Sequence, residues 1–283
     1  MELKTRKIVQ IIEPQAVVEG AGVRLKRSIG GRALDYLDPF LLLDHFQSKN
    51  PADYQAGFPL HPHRGIETVT YLLAGTVRHR DSVGNAGEIG PGDLQWMSAG
   101  RGILHEEMPQ VRPEGVAGFQ LWVNLPAKQK MSAPRYQNIH AREIPVIERE
   151  HGGVIRVIAG TVDGISGPIT EIVAEPTYLD VTLSAGGSLL LSTPRGHSAF
   201  AYLFEGQARF GADDKESITG PKLVVWSDGP SVEVHAGEGT ARFLLVSGKP
   251  LNEPIARYGP FVMNTQQEIQ QTLRELQQGT FAQ

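Results

Sequence analysis

The sequence predicts an all-β chain: two tandem barrels with a short helix at the C-terminal end. Three observations predict it: short apolar segments cut by turn residues, an internal repeat, and one helical periodicity after residue 264. The 283 residues include 32 glycines and 19 prolines, well above the combined average of about 12%. That excess favours many short elements joined by tight turns. With 40% hydrophobic residues, the chain still has enough apolar surface to bury a core.

In chain order, residues 66–73 (IETVTYLL) are rich in β-branched and aromatic side chains and stop at Ala74-Gly75, a strand followed by a turn. Residues 76–80 alternate in polarity, 89–93 (IGPGD) form a turn, and 94–97 make a short strand before the turn at 98–102. Residues 119–125 (FQLWVNL) read as a strand closed by Pro126. The same texture returns at 179–183, 188–192, 199–204, 223–226 and 242–246. Strands at short, regular spacing with turns between them suit a sandwich or barrel. The last element differs. Ile269, Leu273 and Leu276 fall at helical spacing, with Asn264 or Thr265 as N-cap and Gly279 as stop.

The repeat sets the architecture. Residues 61–75 align without gaps on residues 192–206, so that Arg64-Gly65 falls on Arg195-Gly196, Tyr71-Leu72 on Tyr202-Leu203 and Gly75 on Gly206. Pro91 and Trp96 fall on Pro221 and Trp226. A period this long means tandem barrels, because solenoid repeats run at about 20–50 residues. Two domains are expected: 1–130, and 131–283 ending in the helix.

Lysine and arginine number 27 against 31 aspartates and glutamates, a net charge of −4. That argues against direct nucleic-acid binding and against an anionic membrane. There are no cysteines, so thiol catalysis, disulfides, Cys-ligated zinc and iron–sulfur clusters are excluded. The first residues lack the apolar core of a secretion signal, and no window approaches the ~20 apolar residues of a membrane span. A soluble, cytoplasmic protein is the expectation.

The chemistry lies in what the two copies do not share. His61 and His63 of the first copy fall on Ser192 and Pro194 of the second, so a barrel does not need the imidazoles. In an extended segment residues i and i+2 share a face, so His61 and His63 project together. His105 and Glu107 repeat that spacing further on, with Glu106 pointing away. Two such pairs on facing strands offer three neutral nitrogens and one carboxylate. The set suits one divalent first-row ion: Fe(II), Mn(II), Ni(II), Cu(II) or Zn(II). Four protein ligands on an octahedral ion leave two positions open for substrate and dioxygen or water, a catalytic layout.

The stretches DPFLLLDHF, FPLHPHRGIETVTYLLAG, LQWMSAGRGILHEEMP, FQLWVNLP and YGPFVMNTQQEI resemble the pirin family of the cupin superfamily. The resemblance spans nearly the whole chain. It implies two cupin barrels of the double-stranded β-helix (jelly-roll) type, with one metal, normally iron, in the N-terminal barrel. Its ligand pattern falls on His61, His63, His105 and Glu107. It also implies two functions. One is a quercetin 2,3-dioxygenase, which cleaves the central ring of a flavonol with O2 and releases carbon monoxide. The other is an iron-binding, redox-sensing regulator that acts through a protein partner without useful turnover.

For the first function Glu107 is the catalytic candidate, taking the proton of the flavonol 3-hydroxyl. Glu67 stands near where other cupins place a ligand glutamate, and reads as a buried neighbour of the ligands or as a plain strand residue. His45, Phe58, Leu60, Met97 and Phe119, with Leu104 and Leu121, could wall an apolar pocket for the aromatic substrate. Arg64 and Trp96 recur as Arg195 and Trp226 and read as structural. His79, His140, His151, His197 and His235 lack a partner at ligand spacing and read as surface or packing residues.

Overall fold

The computed structural model describes residues 5–150, 152–211 and 216–282. Its strands form two sets of sheets that match one for one. In the first, a seven-stranded sheet runs in the order Arg135–Ile139, Leu94–Ser98, Ile66–Ala74, Val116–Asn124, Phe40–Ser48, Val23–Ile29 and Gln15–Glu19. A four-stranded sheet accompanies it: Phe58–His63, Ile103–Pro109, Val77–Asp81 and Ala86–Ile89.

The second set repeats the plan with Ile8–Ile12, Lys222–Trp226, Ser198–Glu205, Ala241–Gly248, Thr177–Leu183, Gly153–Ala159 and Val146–Arg149. Its four-stranded sheet is Ser188–Ser192, Ser231–Ala236, Gln207–Phe210 and Ile218–Thr219. The pairings are antiparallel. This is the all-β, double-barrel architecture that the repeat predicts, and each expected strand is present within three residues of its expected ends. Gly75 and Gly206, aligned by the repeat, hold matching turns at φ +81° and +79°, a region that a Cβ makes costly.

The residues group into two compact units. One holds the segment up to Pro14, Leu37–Pro39 and Arg142–Pro250; the other holds Gln15–Tyr36, Phe40–Ala141 and Leu251–Gln283. A single division after residue 130, with the helix in the second domain, is therefore not how the contacts divide the chain. The reason is non-local pairing at both ends. Ile8–Ile12 pairs with Lys222–Trp226, in the place that Arg135–Ile139 takes against Leu94–Ser98. At the other end Phe261, Met263, Ile269 and Phe281 pack as one apolar group with Leu104, Leu273 and Leu276.

The helix itself spans Gln266–Gln278, capped by Thr265 and Glu268 in a reciprocal capping box and stopped by Gly279 at φ +71°. The buried ammonium of Lys130 ties the tail down. It donates to the carbonyls of Gly65 and Val262 at 2.9 and 2.8 Å and to Asn124 Oδ1 at 2.7 Å.

The two interiors differ. In the unit built on 142–250, Leu189, Leu191, Phe210, Trp226, Val232 and Phe243 belong to one continuous apolar cluster. In the other unit a cavity of about 650 Å³ opens among the strands.

Candidate metal centre

His61 and His63 leave the strand Phe58–His63 on one face, as the i, i+2 spacing requires. They meet His105 of the neighbouring strand, which pairs directly with His61. Ring centroids are 4.8 Å apart for His61 and His63, 4.4 Å for His61 and His105, and 5.0 Å for His63 and His105. One nitrogen from each ring lies within 4.8 Å of the others. Burial, reinforced by the neighbouring imidazoles, holds His63 and His105 well below the ordinary histidine pKa. Both are therefore neutral near pH 7 and carry free lone pairs.

The nitrogens fit a metal ion. His61 Nδ1 lies 2.9 Å from the Pro59 carbonyl; it can only donate there, which leaves the Nε2 lone pair facing the cluster. That Nε2 is 3.0 Å from Nε2 of His63, the separation of two ligands at a right angle around an ion ~2.1 Å from each. The Pro260 carbonyl approaches His63 closely enough to favour its charged form, without the alignment of a hydrogen bond at Nδ1. Among the described residues, neither ring nitrogen of His105 meets a hydrogen-bond partner, although the residue is only 1% exposed. Orphaned buried nitrogens are costly, and a bound cation satisfies them. The three imidazoles can hold a metal ion.

Glu107 stands beside this trio rather than within the mutually close set. The facing strand is bulged here: His105 pairs with His61 and Glu107 with Phe58, so the extra residue lies between Phe58 and His61. Glu107 Oε1 lies 2.8 Å from Thr70 Oγ1, which is also 2.7 Å from the Gln120 side-chain amide. The hydroxyl has one proton and two acceptors in reach, Glu107 Oε1 and Gln120 Oε1, so it donates to one of them at a time. Burial raises the Glu107 pKa, opposed by His61 and the Thr70 bond.

The cavity reaches His61, His63 and Glu107 and is walled by apolar side chains that include Leu25, Leu42, Phe46, Tyr54, Phe58 and Trp122. Of the seven residues expected at the pocket, Phe58 lines it; His45, Leu60, Met97, Leu104, Phe119 and Leu121 do not. Strand parity is the reason. Leu42, Asp44 and Phe46 face the cavity, so His45 faces the other side, where its ring packs on Phe119 at 4.8 Å. Gln120 and Trp122 face it as well, which turns Phe119 and Leu121 away. Met97 packs with Ala99 and Ile103, Leu104 against the tail, and Leu60 is 56% exposed. Phe58 is out of step with His61 and His63, and the bulge in its own strand, between Phe58 and His61, brings it round.

Glu67 occupies the face of Ile66–Ala74 opposite Thr70, and its buried carboxylate accepts from Ser98 Oγ. It acts as a strand residue. Asp44 stands within Phe40–Ser48. It takes both arms of Arg27 at 2.8 and 2.7 Å, while a third Arg27 nitrogen meets Glu19 at 2.7 Å. Trp122, edge-on to His63 at 5.1 Å, is a site residue that the sequence did not reveal. Among the other histidines, His79 is buried and stacks on Tyr136, and His235 lies 2.7 Å from Glu233. His151 falls outside the described residues.

The repeat now extends to the third imidazole. Ser192 pairs with Ser231 as His61 pairs with His105. The second barrel thus has Ser192, Pro194 and Ser231 where the first has its imidazoles, and an apolar filling where the first has its cavity.

Two matched antiparallel barrels, one with an imidazole trio at the end of an apolar cavity, define a two-domain cupin protein. Residues 22–123 match the Pirin family and residues 178–282 the Pirin C-terminal cupin domain. The chain belongs to the pirin family. It is 43% identical over 281 residues, 98% of each chain, to a Pseudomonas aeruginosa protein that carries a provisional quercetin 2,3-dioxygenase name. It is 42% identical to human pirin over 273 residues, covering 95% of this chain and 91% of that one. A solved structure from Acinetobacter baumannii, titled quercetin 2,3-dioxygenase, is 37% identical and superposes with a TM-score of 0.88 over 98% of both chains.

Proposed function

We propose that His61, His63 and His105 hold one divalent ion and that the protein cleaves flavonols such as quercetin with O2, releasing carbon monoxide. The observation that carries this reading is the imidazole trio at the end of a largely apolar cavity of about 650 Å³, a size that suits a three-ring ligand. The dioxygenase names of close relatives support it. Iron(II) is the expected ion, and the donor set also accepts Mn, Ni, Cu or Zn.

When bound, the ion supplies Lewis acidity and draws the two substrates together. The protein's own groups do the rest. Glu107, beside the trio, takes the proton of the flavonol 3-hydroxyl, and completes the ligand set when it turns from Thr70. Thr70 and Gln120 orient its carboxylate. Phe58, Leu42 and Trp122 receive the flat rings and exclude water.

The test is to load the protein with Fe(II) without oxygen, add quercetin, admit air and follow flavonol absorbance. Wild type should consume quercetin, and Glu107→Gln should keep its metal but lose about 10²–10⁴-fold in rate, the usual worth of a positioned base. Negligible turnover by fully loaded wild type would sink this reading in favour of a redox-sensing regulator that works through a protein partner.

A further inference from the structure

The tail beyond residue 250 returns to the cavity. The strand Ala256–Tyr258 places Arg257 in the cavity wall, next to Gly259 and Pro260. Its guanidinium carbon lies 5.2 Å from the centre of the Trp122 ring, whose edge contact with the His63 ring is 5.1 Å between centroids. The two contacts share the indole, so the guanidinium lies within about 10 Å of the His63 ring. A three-ring molecule anchored at the imidazoles spans that distance.

The two arginines of the cavity are in different states. Arg27 is committed, holding Asp44 with two nitrogens and Glu19 with a third. Arg257 forms no ion pair among the described residues; it reaches the Leu41 and Gly259 carbonyls at 3.3 and 3.5 Å. Those long contacts leave most of its five N–H donors unused. The field around it is mixed: Arg27 adds positive charge, while Asp35, Asp44 and Glu19 offset it. A fully anionic group gains little in such a field. A phenol suits it better, because its oxygen accepts from Arg257 while its proton can go to the Asp44 or Glu19 carboxylate.

Building on the flavonol reading above, we infer that Arg257 is a specificity-determining residue that binds the hydroxylated ring of the flavonol at the end remote from the metal. The preferred substrates are then polyhydroxylated flavonols rather than the bare 3-hydroxyflavone. Arg257 takes no part in proton transfer or metal binding. It sets which ring substituents are held, through the stem that crosses Trp122 and the donors that extend past it.

The test measures binding without turnover. Anaerobic Fe(II)-loaded protein is titrated with quercetin and, separately, with 3-hydroxyflavone, following the quenching of tryptophan fluorescence. Arg257→Met should weaken quercetin about 10-fold or more, the worth of a hydrogen bond to a charged donor, and leave 3-hydroxyflavone within about 2-fold. Arg257→Lys keeps the charge but loses the planar fork, so it should weaken quercetin by a smaller factor with the same selectivity. That variant carries the test if Arg257→Met does not fold. Equal weakening of both flavonols, or unchanged quercetin affinity in both variants, overturns the assignment while leaving the flavonol reading standing. Wild type that binds neither flavonol overturns both.

Discussion

Replacing His45 with phenylalanine should remove a large part of the protein's acid sensitivity. His45 is 7% exposed and packs its ring on Phe119. Burial, with a smaller contribution from the Lys26 charge, lowers its pKa to about 4, whereas in the unfolded chain it titrates near its ordinary ~6.5. Between those values the unfolded state binds the extra proton and the folded state does not, so stability falls as pH drops through this window. At pH 7.5 both states are neutral and the linkage vanishes. At pH 5 it amounts to about 2 kcal/mol, the logarithm of the ratio of the two protonation polynomials multiplied by ~1.36 kcal/mol. Phenylalanine keeps the ring contact and has no proton to bind. Urea unfolding at pH 7.5 and pH 5 should therefore show wild type losing about 2 kcal/mol more than His45→Phe across the interval. His63 and His105 contribute equally to both proteins and cancel in the comparison. Two pH profiles that run parallel to within about 0.5 kcal/mol would refute the argument.

Two further outcomes follow from the same structure. His61→Ala or His105→Ala should abolish stoichiometric metal binding while His197→Ala and His235→Ala leave it intact, because among the described residues only the first barrel brings three imidazoles together; elemental analysis that finds two metals per chain, or one surviving His61→Ala, contradicts this. Lys130→Met should cost about 3–5 kcal/mol in urea unfolding, because it removes the donor to three buried oxygens at 2.7–2.9 Å, and a buried neutral acceptor left unpaired costs ~1–3 kcal/mol; a loss under about 1 kcal/mol would show that water replaces it.

The legible part of this protein was local. Alternation, glycine turns and the copy-to-copy alignment located the strands, and each depends on residues near one another in sequence. The imidazole trio was legible for the same reason, since His61 and His63 share a face over three residues and the second copy shows which positions a barrel can do without. The pocket wall was not. Its members follow strict alternation along each strand, but the alternation does not say which face is inside, and Phe119 and His45 were placed on the wrong one. Phe58 reached the cavity through the bulge between it and His61 in its own strand, an irregularity that Pro59 marks but whose effect on facing simple alternation does not give. Arg257 was hidden more deeply, since an arginine in a segment with no periodicity carries no signal of what it will face.

The copies also explain why one barrel can be functional and the other structural. Ser192, Pro194 and Ser231 remove the imidazoles, yet removing ligands alone would leave a wet, polar hole. Phe210, Phe243 and Trp226 meet inside the second barrel with ring centroids 5.7 and 5.9 Å from Phe210, filling volume that the first barrel leaves open. Close packing of that kind adds stability, so a cavity retained in the first barrel costs the fold something. Selection for stability alone would fill it. An open, largely apolar space beside an imidazole trio whose buried members, His63 and His105, keep unsatisfied nitrogens runs against both packing and polar satisfaction, and departures of that kind concentrate where function requires them.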